Sequence, residues 1–593
     1  KGKAKGTTEI INTQLFLTSS LGNANIDAKL DMRKKDAEEY DIKADLEKLD
    51  IGTLISHHEL GKISAKFSVK GKSFNPEKAN ALINGKIIAA GFSQYVYQNI
   101  DLKAKINQGI FETKVDSKDS NAQLNLAASG VYKTDLTNVK LDGNISTLNL
   151  KKLGFYADPL NISGEINADF AHLNPDDLNG SLHLKNFKIS DSVTVLPIDE
   201  IKLTAISSAE MNQLNLASQI ADVELKGQFK LTQIGDALSQ TINEYYQFQE
   251  SNPSIKIDPH QYFTLNATIK NDDLIQRFVP DLKHFETISL NGTYNSDENK
   301  LNLEGQIPQL TFGENTIEDG KILIDNNAKT LNYDLSIEAL KNESLQLNKI
   351  SIDGNIEENV VQYNIKTKDE KEQTQFLLAG NIKTSDELTE IKLNENGLKL
   401  NYDSWKVGEN NSIQLKKDGI TAHNFSISKG NSQILVQSES EKSNSPLNIF
   451  IQDFKIETIT ELIKKEELPA AGTINGSVQL RDFDKQMMFN ADMSITDLEV
   501  FGNPIGLLTA KVANSSPTLL NVDVNLSGNN NKVKLNGDFN TENSSFDFIL
   551  DLNRFEMKAI QGFAMNQIKE SEGYLSGKLT LTGKADKPSI LGQ

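Results

Sequence analysis

The stretch SEGYLSGKLTLTGKADKP, residues 571–588, alternates like a strand, with Leu575, Leu579 and Leu581 at strand-like apolar positions. Gly573, Gly577 and Gly583 are spaced through the same run. Glycine weakens a strand interior because it adds backbone entropy and packs no side chain. Three of them together imply a need for positions without a Cβ, as in a sheet that bends sharply or lets another backbone pack closely against it. We therefore read these three as curvature sites.

The same alternation recurs along the chain in NAQLNLAAS (Leu124, Leu126, Ala128), SLHL (Leu182, Leu184), KLNLEG (Leu301, Leu303), KVKLNG (Val533, Leu535) and GKLTLTG (Leu579, Leu581). Period two places apolar residues on one face and polar residues on the other. Turn-rich pieces such as NSDENK (295–300), ENN (409–411) and SGNNNK (527–532) separate the runs in hairpin fashion. No alternation of strands with long crossover helices occurs. The expected fold is all-β and mostly antiparallel.

A few helical stripes interrupt the strands. Ile234, Leu238, Ile242 and Tyr245 are spaced by three or four, as are Ile456, Ile459 and Ile463 before Pro469. Leu274, Phe278 and Leu282 form a stripe broken by Pro280, and Met557, Ile560 and Ala564 a weaker one; LEKLDIGTLI from Leu46 and LNLKKLGF from Leu148 are weaker still. Most are followed by a glycine-bearing strand, at Gly61, Gly164, Gly292, Gly472 with Gly476, and Gly573. The steps between these glycines are 103, 128, 180 and 101 residues, a degenerate cycle of about a hundred with insertions. Such a cycle favours quasi-one-dimensional growth. We expect one continuous repetitive β-trough over 1–593, with cycles at 1–145, 146–270, 271–450, 451–550 and an incomplete 551–593. Gly164, Gly472 and Gly476 join the three opening glycines as expected curvature sites. The pairs Asn84-Gly85, Asn179-Gly180, Asn291-Gly292, Asn475-Gly476 and Asn536-Gly537 read equally well as type I′ hairpin turns.

Composition narrows the function. The 593 residues carry 62 basic and 81 acidic side chains, a formal charge of -19 that repels phosphate backbones; nucleic acid is not an expected partner. The same sign argues against flat adsorption to an anionic membrane. The absence of cysteine removes disulfides, thiolate metal sites and a cysteine nucleophile. No run approaches the roughly 18 to 20 apolar residues of a spanning helix. The chain starts at Lys1 and stops at Gln593 just after a strand-like run, so we expect it to be the interior of something longer.

A short apolar helix, then GYLSGKLTLTG, then Lys587 and Pro588, resembles the TamB branch of the AsmA-like proteins. The segment WKVGENNSIQLKKDGITAHNFSISKG (405–430) is similar to that family's paired short strands around a polar turn. The likeness is spread over most of the chain and rests on the repeated order of low-information motifs. It implies an elongated, strongly curved antiparallel sheet with a few short helices, forming a U-shaped hydrophobic trough, the β-taco. It also implies a periplasmic location in a Gram-negative bacterium, an inner-membrane anchor through an N-terminal helix, and an Omp85-type outer-membrane barrel (TamA/BamA-like) as partner, both contacts lying outside these residues. The implied activity is bridge-like phospholipid transport between inner and outer membranes, supporting outer-membrane biogenesis.

The physics of the pattern agrees. An open sheet with one apolar face must hide that face, and the helices are too few to cover it. Burying a chain of about sixteen carbons gains on the order of 12 kcal/mol, so acyl chains of phospholipids are the expected occupants. At about 4.8 Å per strand the chain spans on the order of 200 Å. Expected to line the trough are Leu124, Leu126, Leu182, Leu184, Leu301, Leu303, Val533, Leu535, Leu579 and Leu581. The plainer alternative is that such leucines fill closed sandwich cores.

No catalytic motif is found. His57, His58, His172, His183, His260, His284 and His423 show no HExxH spacing, and no GxSxG, P-loop or dinucleotide fingerprint occurs. We expect no enzyme, no metal and no cofactor. Asp176-Asp177 and Asp272-Asp273 read as polar turns, and Trp405, the single tryptophan, as an apolar anchor. The rival functions are a scaffold for outer-membrane protein assembly and a structural or adhesive secreted β-repeat protein.

Overall fold

The computed structural model describes residues 2–132, 136–191, 193–247, 257–343, 345–460, 469–483, 486–564, 568 and 571–592. Its architecture is all-β, with 69% of residues in strands and 7% in helices, in long open antiparallel sheets with no closed barrel among the described residues. The chain divides into two compact units. The first comprises Lys1–Leu238, Pro253–Pro280 and Thr287–Lys300; the second comprises Ser239–Asn252, Asp281–Glu286 and Leu301–Gln593.

In the first unit each strand from Gly2–Gly6 to Ala221–Gln228 pairs antiparallel with the next, and Tyr262–Ile269 and Ile288–Asn295 extend the ladder. Period two sorts the side chains along much of each strand. In Glu39–Asp50, Ala44 and Leu46 are buried whereas Lys43, Asp45 and Glu47 are exposed. The ladder is not flat. Register shifts interrupt the pairing of Leu136–Asn149 with Asn161–His172, and of that strand with Asn179–Ser190; each bulge bends its strand and increases the twist.

The second unit contains two sheets. One runs from Leu282–Phe285 and Lys300–Phe312 through successive hairpins to Leu388–Leu400, Ser412–Lys416 and Gly419–His423. The other begins with Lys406–Val407 on Phe425–Lys429 and continues to Lys587–Gly592. The expected turn at 527–532 is present: Asn529 and Asn530 have φ of 47° and 61°, the pair of left-handed residues that a type I′ hairpin requires.

The Asn-Gly pairs are not turns. All five lie within strands, with Asn179-Gly180 opening its strand and the other four in strand interiors. A glycine facing a large neighbour explains the choice at Gly164, where φ is +150° and an added Cβ would come within 2.3 Å of the Phe187 ring. A ring from the next strand lies where a side chain would stand. Gly354 shows the same device with tyrosine. Its missing Cβ leaves room for the Tyr333 hydroxyl, which donates to the Gln362 carbonyl at 2.8 Å.

Five α-helices are described: α1 (Ile51–Ile55), α2 (Ile234–Asn243), α3 (Asp273–Phe278), α4 (Glu457–Thr460) and α5 (Met557–Phe563). Side-chain caps set two of the starts, Asp50 accepting from Thr53 N at 3.0 Å and Asp272 from Leu274 N at 2.9 Å. The weak stripe at Leu46 is strand up to Asp50 and helix only afterwards, and that at Leu148 is strand end and turn. Leu282 is the first residue of a strand, because Pro280 ends the helical stripe. Ile463 of the stripe before Pro469 lies outside the described residues.

Candidate functional site

The register joins the apolar positions into continuous rows. In the first unit one row runs through Thr13, Ala28, Ile42, Val69, Ile83, Ala104, Thr113, Ala128, Leu141, Ala168, Leu182, Leu203, Leu216, Val223, Ala267 and Leu290, each directly opposite the next. Two threonines are its only polar members. At about 4.8 Å per strand it extends about 70 Å along the sheet. A parallel row contains Val115, Leu126, Gly143, Ile166, Leu184 and Ile201.

Among the expected lining residues, Leu126, Leu182 and Leu184 sit in these rows, and Leu124 lies opposite Ser117 and Ile145. In the second unit Leu303 opens a row through Ile324, Tyr333, Gly354, Tyr363 and Gly380 to Leu393. Leu301 neighbours it on the same strand. Across the second sheet, Val407, Ile427, Ile434, Ile451, Gly476, Met493, Ala510, Val524, Leu535, Leu550 and Leu579 are successive partners. Leu581 lies opposite Phe548 and Ile590, and Val533 opposite Leu526 and Leu552. All ten are half-buried. They are screened by row neighbours yet keep accessible surface.

The glycines separate into three kinds. Gly164, Gly472, Gly476 and Gly577 lie at or beside register shifts. Gly583 stands between Phe546 and Pro588 in regular pairing. Gly573 precedes its strand and accepts from Met557 N at 2.9 Å, so it serves the junction with α5 and not the sheet interior.

Helices seal parts of the apolar face. Where α5 meets the sheet, its Ala559 and Ile505 of the strand below are 0% exposed and cluster with Leu498 and Leu526; Val533 and Phe555 pack against them. Gly562 lets the helix approach the strand closely, since a Cβ there would stand 2.6 Å from the Val500 carbonyl oxygen. In the first unit Ile51 of α1 packs against Ala24, Ala44, Leu46 and Leu49.

Sequence reasoning missed the hollows of the opposite face. Three concavities of about 840, 610 and 570 Å³ open on the polar side of the first unit. The largest is lined by Lys43, Asp45, Lys66, Asn84, Lys103 and Asp116 among others. A strongly twisted sheet is saddle-shaped and so presents a hollow along one diagonal of each face. Alternation says which residues face outward and nothing about that curvature. The ion pairs there, Lys66–Asp45 at 2.8 Å and Lys72–Glu39 at 2.6 Å, are exposed and contribute little stability. Hydrogen bonding to Asp45 raises the Lys66 ammonium above its ordinary value.

The acidic pairs have structural partners. Asp272 caps α3, and Asp176 accepts from Thr232 N and Oγ1 at 2.9 Å. Among the described residues no group of three or more His, Asp or Glu is placed to hold a metal, and no helix is long and apolar enough to cross a membrane. His183 pairs with Glu200 and His260 with Asp297.

No family model matches the chain, and no curated protein matches it.

Proposed function

We propose that the chain is a bridge-like lipid conduit, carrying phospholipids with their acyl chains along the apolar rows and their head groups at the wet edge. The supporting observation is the sixteen-strand row, nearly free of polar side chains, whose leucines keep accessible surface instead of being sealed. A continuous path without one tight site suits transport, because each step exchanges similar apolar contacts at about 0.8 kcal/mol per methylene. On the TamB-like reading it stands in the periplasm between inner and outer membranes. The anchor and the barrel contact are then carried by segments outside these residues.

Photocrosslinkers at Leu184, Leu303 and Leu581 in living cells should yield lipid adducts, and one at Asn84 in the polar hollow should not. Absence of adducts at all three apolar positions would overturn the conduit. Leu303→Asp should lower lipid flux at least about tenfold, since an unpaired charge in an apolar path costs several kcal/mol. Undiminished flux in that variant would remove the reason for a groove. The sealed cluster under α5 favours a second reading, a structural β-repeat protein, for which Leu303→Asp would alter stability alone.

A further inference from the structure

The charged face of the first unit is ordered differently in two places. Between Glu39–Asp50 and Leu60–Lys72, opposite charges stand directly across the ladder, Glu39 from Lys72, Asp41 from Lys70 and Asp45 from Lys66. All three close as ion pairs, at 2.6, 3.5 and 2.8 Å. Between Tyr95–Asn107 and Ile110–Lys118 like stands across from like: Asp101 from Asp116 and, two residues along, Lys103 from Lys114. None of these four side chains forms an ion pair among the described residues, although Asp101 also faces Lys86 across its other ladder.

Like charges directly opposite one another destabilise a sheet. Exchanging Lys114 and Asp116 would give two attractive pairs from the same composition, so these strands forgo a gain that their neighbours take. The four side chains line the largest hollow, of about 840 Å³, and Lys103 and Lys114, with Asn84, also line the adjoining one of about 570 Å³. Asp101, Lys103 and Lys114 are exposed and Asp116 is half-buried. The hollow therefore offers an ammonium pair and a carboxylate pair about 7 Å apart along the strands, each open to a group of opposite sign.

We propose that this hollow binds a small soluble zwitterion, a phosphomonoester carrying an amine, with the phosphate between Lys103 and Lys114 and the ammonium between Asp101 and Asp116. Two unlike charges on a short linker match two unlike pairs two residues apart, whereas an anion alone would leave the carboxylates facing each other. The site lies on the face opposite the apolar rows and does not rest on the conduit reading.

The probe is phosphoethanolamine, titrated calorimetrically into the full chain, with inorganic phosphate and ethanolamine as single-charge references. It should bind saturably and at least about tenfold more tightly than either reference, the span of one charge-assisted hydrogen bond, and more weakly as salt is raised. The exchange variant Lys114→Asp/Asp116→Lys keeps the net charge and removes both like-charge pairs. Its affinity should fall at least about tenfold, at a thermal transition no lower than the parent's.

Inorganic phosphate binding as tightly as phosphoethanolamine would overturn the role of the two aspartates. No saturable binding by the parent, or unchanged affinity in the exchange variant, would overturn the site. Vesicles of phosphatidylethanolamine should not compete, and competition would overturn the assignment to a soluble compound. Lipid adducts at Leu184 are expected whichever way these titrations fall, so the site and the conduit fail separately.

Discussion

The strands Asn179–Ser190 and Asn531–Asn540 carry the same alternation and reach different ends. In the first, Leu182 and Leu184 continue the long row and stay half-buried. In the second, Val533 packs against a cluster in which Ala559 of α5 and Ile505 beneath it are wholly buried. The strands do not make this difference; a seven-residue helix does. Where such a helix lies on the apolar face the face becomes a core, and where none does it remains an accessible surface.

The largest expected effect tests that contrast directly. Ile505→Ala should cost about 3 kcal/mol, because it empties a sealed site, whereas Leu184→Ala should cost about 1 kcal/mol from a half-buried position. Hydrogen exchange in the full chain, read separately on Asn179–Ser190 and on Asn503–Ser516, the strand that carries Ile505, measures both. Equal costs would mean that the first unit is as closed as the second.

A smaller pair of substitutions sharpens the comparison at the level of glycine. Gly164→Ala should destabilise by about 2 kcal/mol, since the Phe187 ring and a φ of +150° both oppose a Cβ. At Gly85 the nearest atoms to an added Cβ are 3.8 and 3.9 Å away and the backbone is ordinary. Gly85→Ala should therefore stabilise, by about 0.5 kcal/mol, through loss of unfolded-chain entropy. Thermal shifts of opposite sign are the expected result.

The smallest effect is electrostatic and belongs to the first unit. Backbone N–H groups of Thr194 and Val193, with Arg277 adding to them, lower the Asp191 carboxyl to about 2. A carboxylate depressed on folding contributes stability above its unfolded value near 4. That contribution should fade as pH falls from about 4 to about 2, and Asp191→Asn should flatten this part of the pH profile of unfolding. A profile identical to that of the parent would show that the bonds leave the titration unchanged.

Much of the strand pattern was legible because period two is a local property. Leu124, Leu182, Leu303 and Leu579 announce their faces within four residues of sequence. Helices were legible where a stripe was long, as at Ile234–Asn243, and illegible at Leu46, where a strand and a capped turn of helix share one apolar run. The Asn-Gly pairs stayed open because the local signal for a turn is identical to that for an Asn-Gly held inside a strand; only the pairing register separates them. The register shift in Leu388–Leu400 did leave a trace. Leu393 and Leu398 are five apart, which in a regular strand would place them on opposite faces, so the intervening NENG had to bulge. The polar hollows left none, because twist accumulates over many strands and no window of sequence contains it.

The five Asn-Gly pairs held inside strands carry a chemical consequence. In mobile chain such pairs age fast, the glycine nitrogen closing on the asparagine side chain to form a succinimide and then an isoaspartate. Extended, ladder-bound backbone keeps nitrogen and carbonyl apart. Slow ageing at these asparagines would accompany intact strands, and a sudden rise at one pair would date the moment its strand let go.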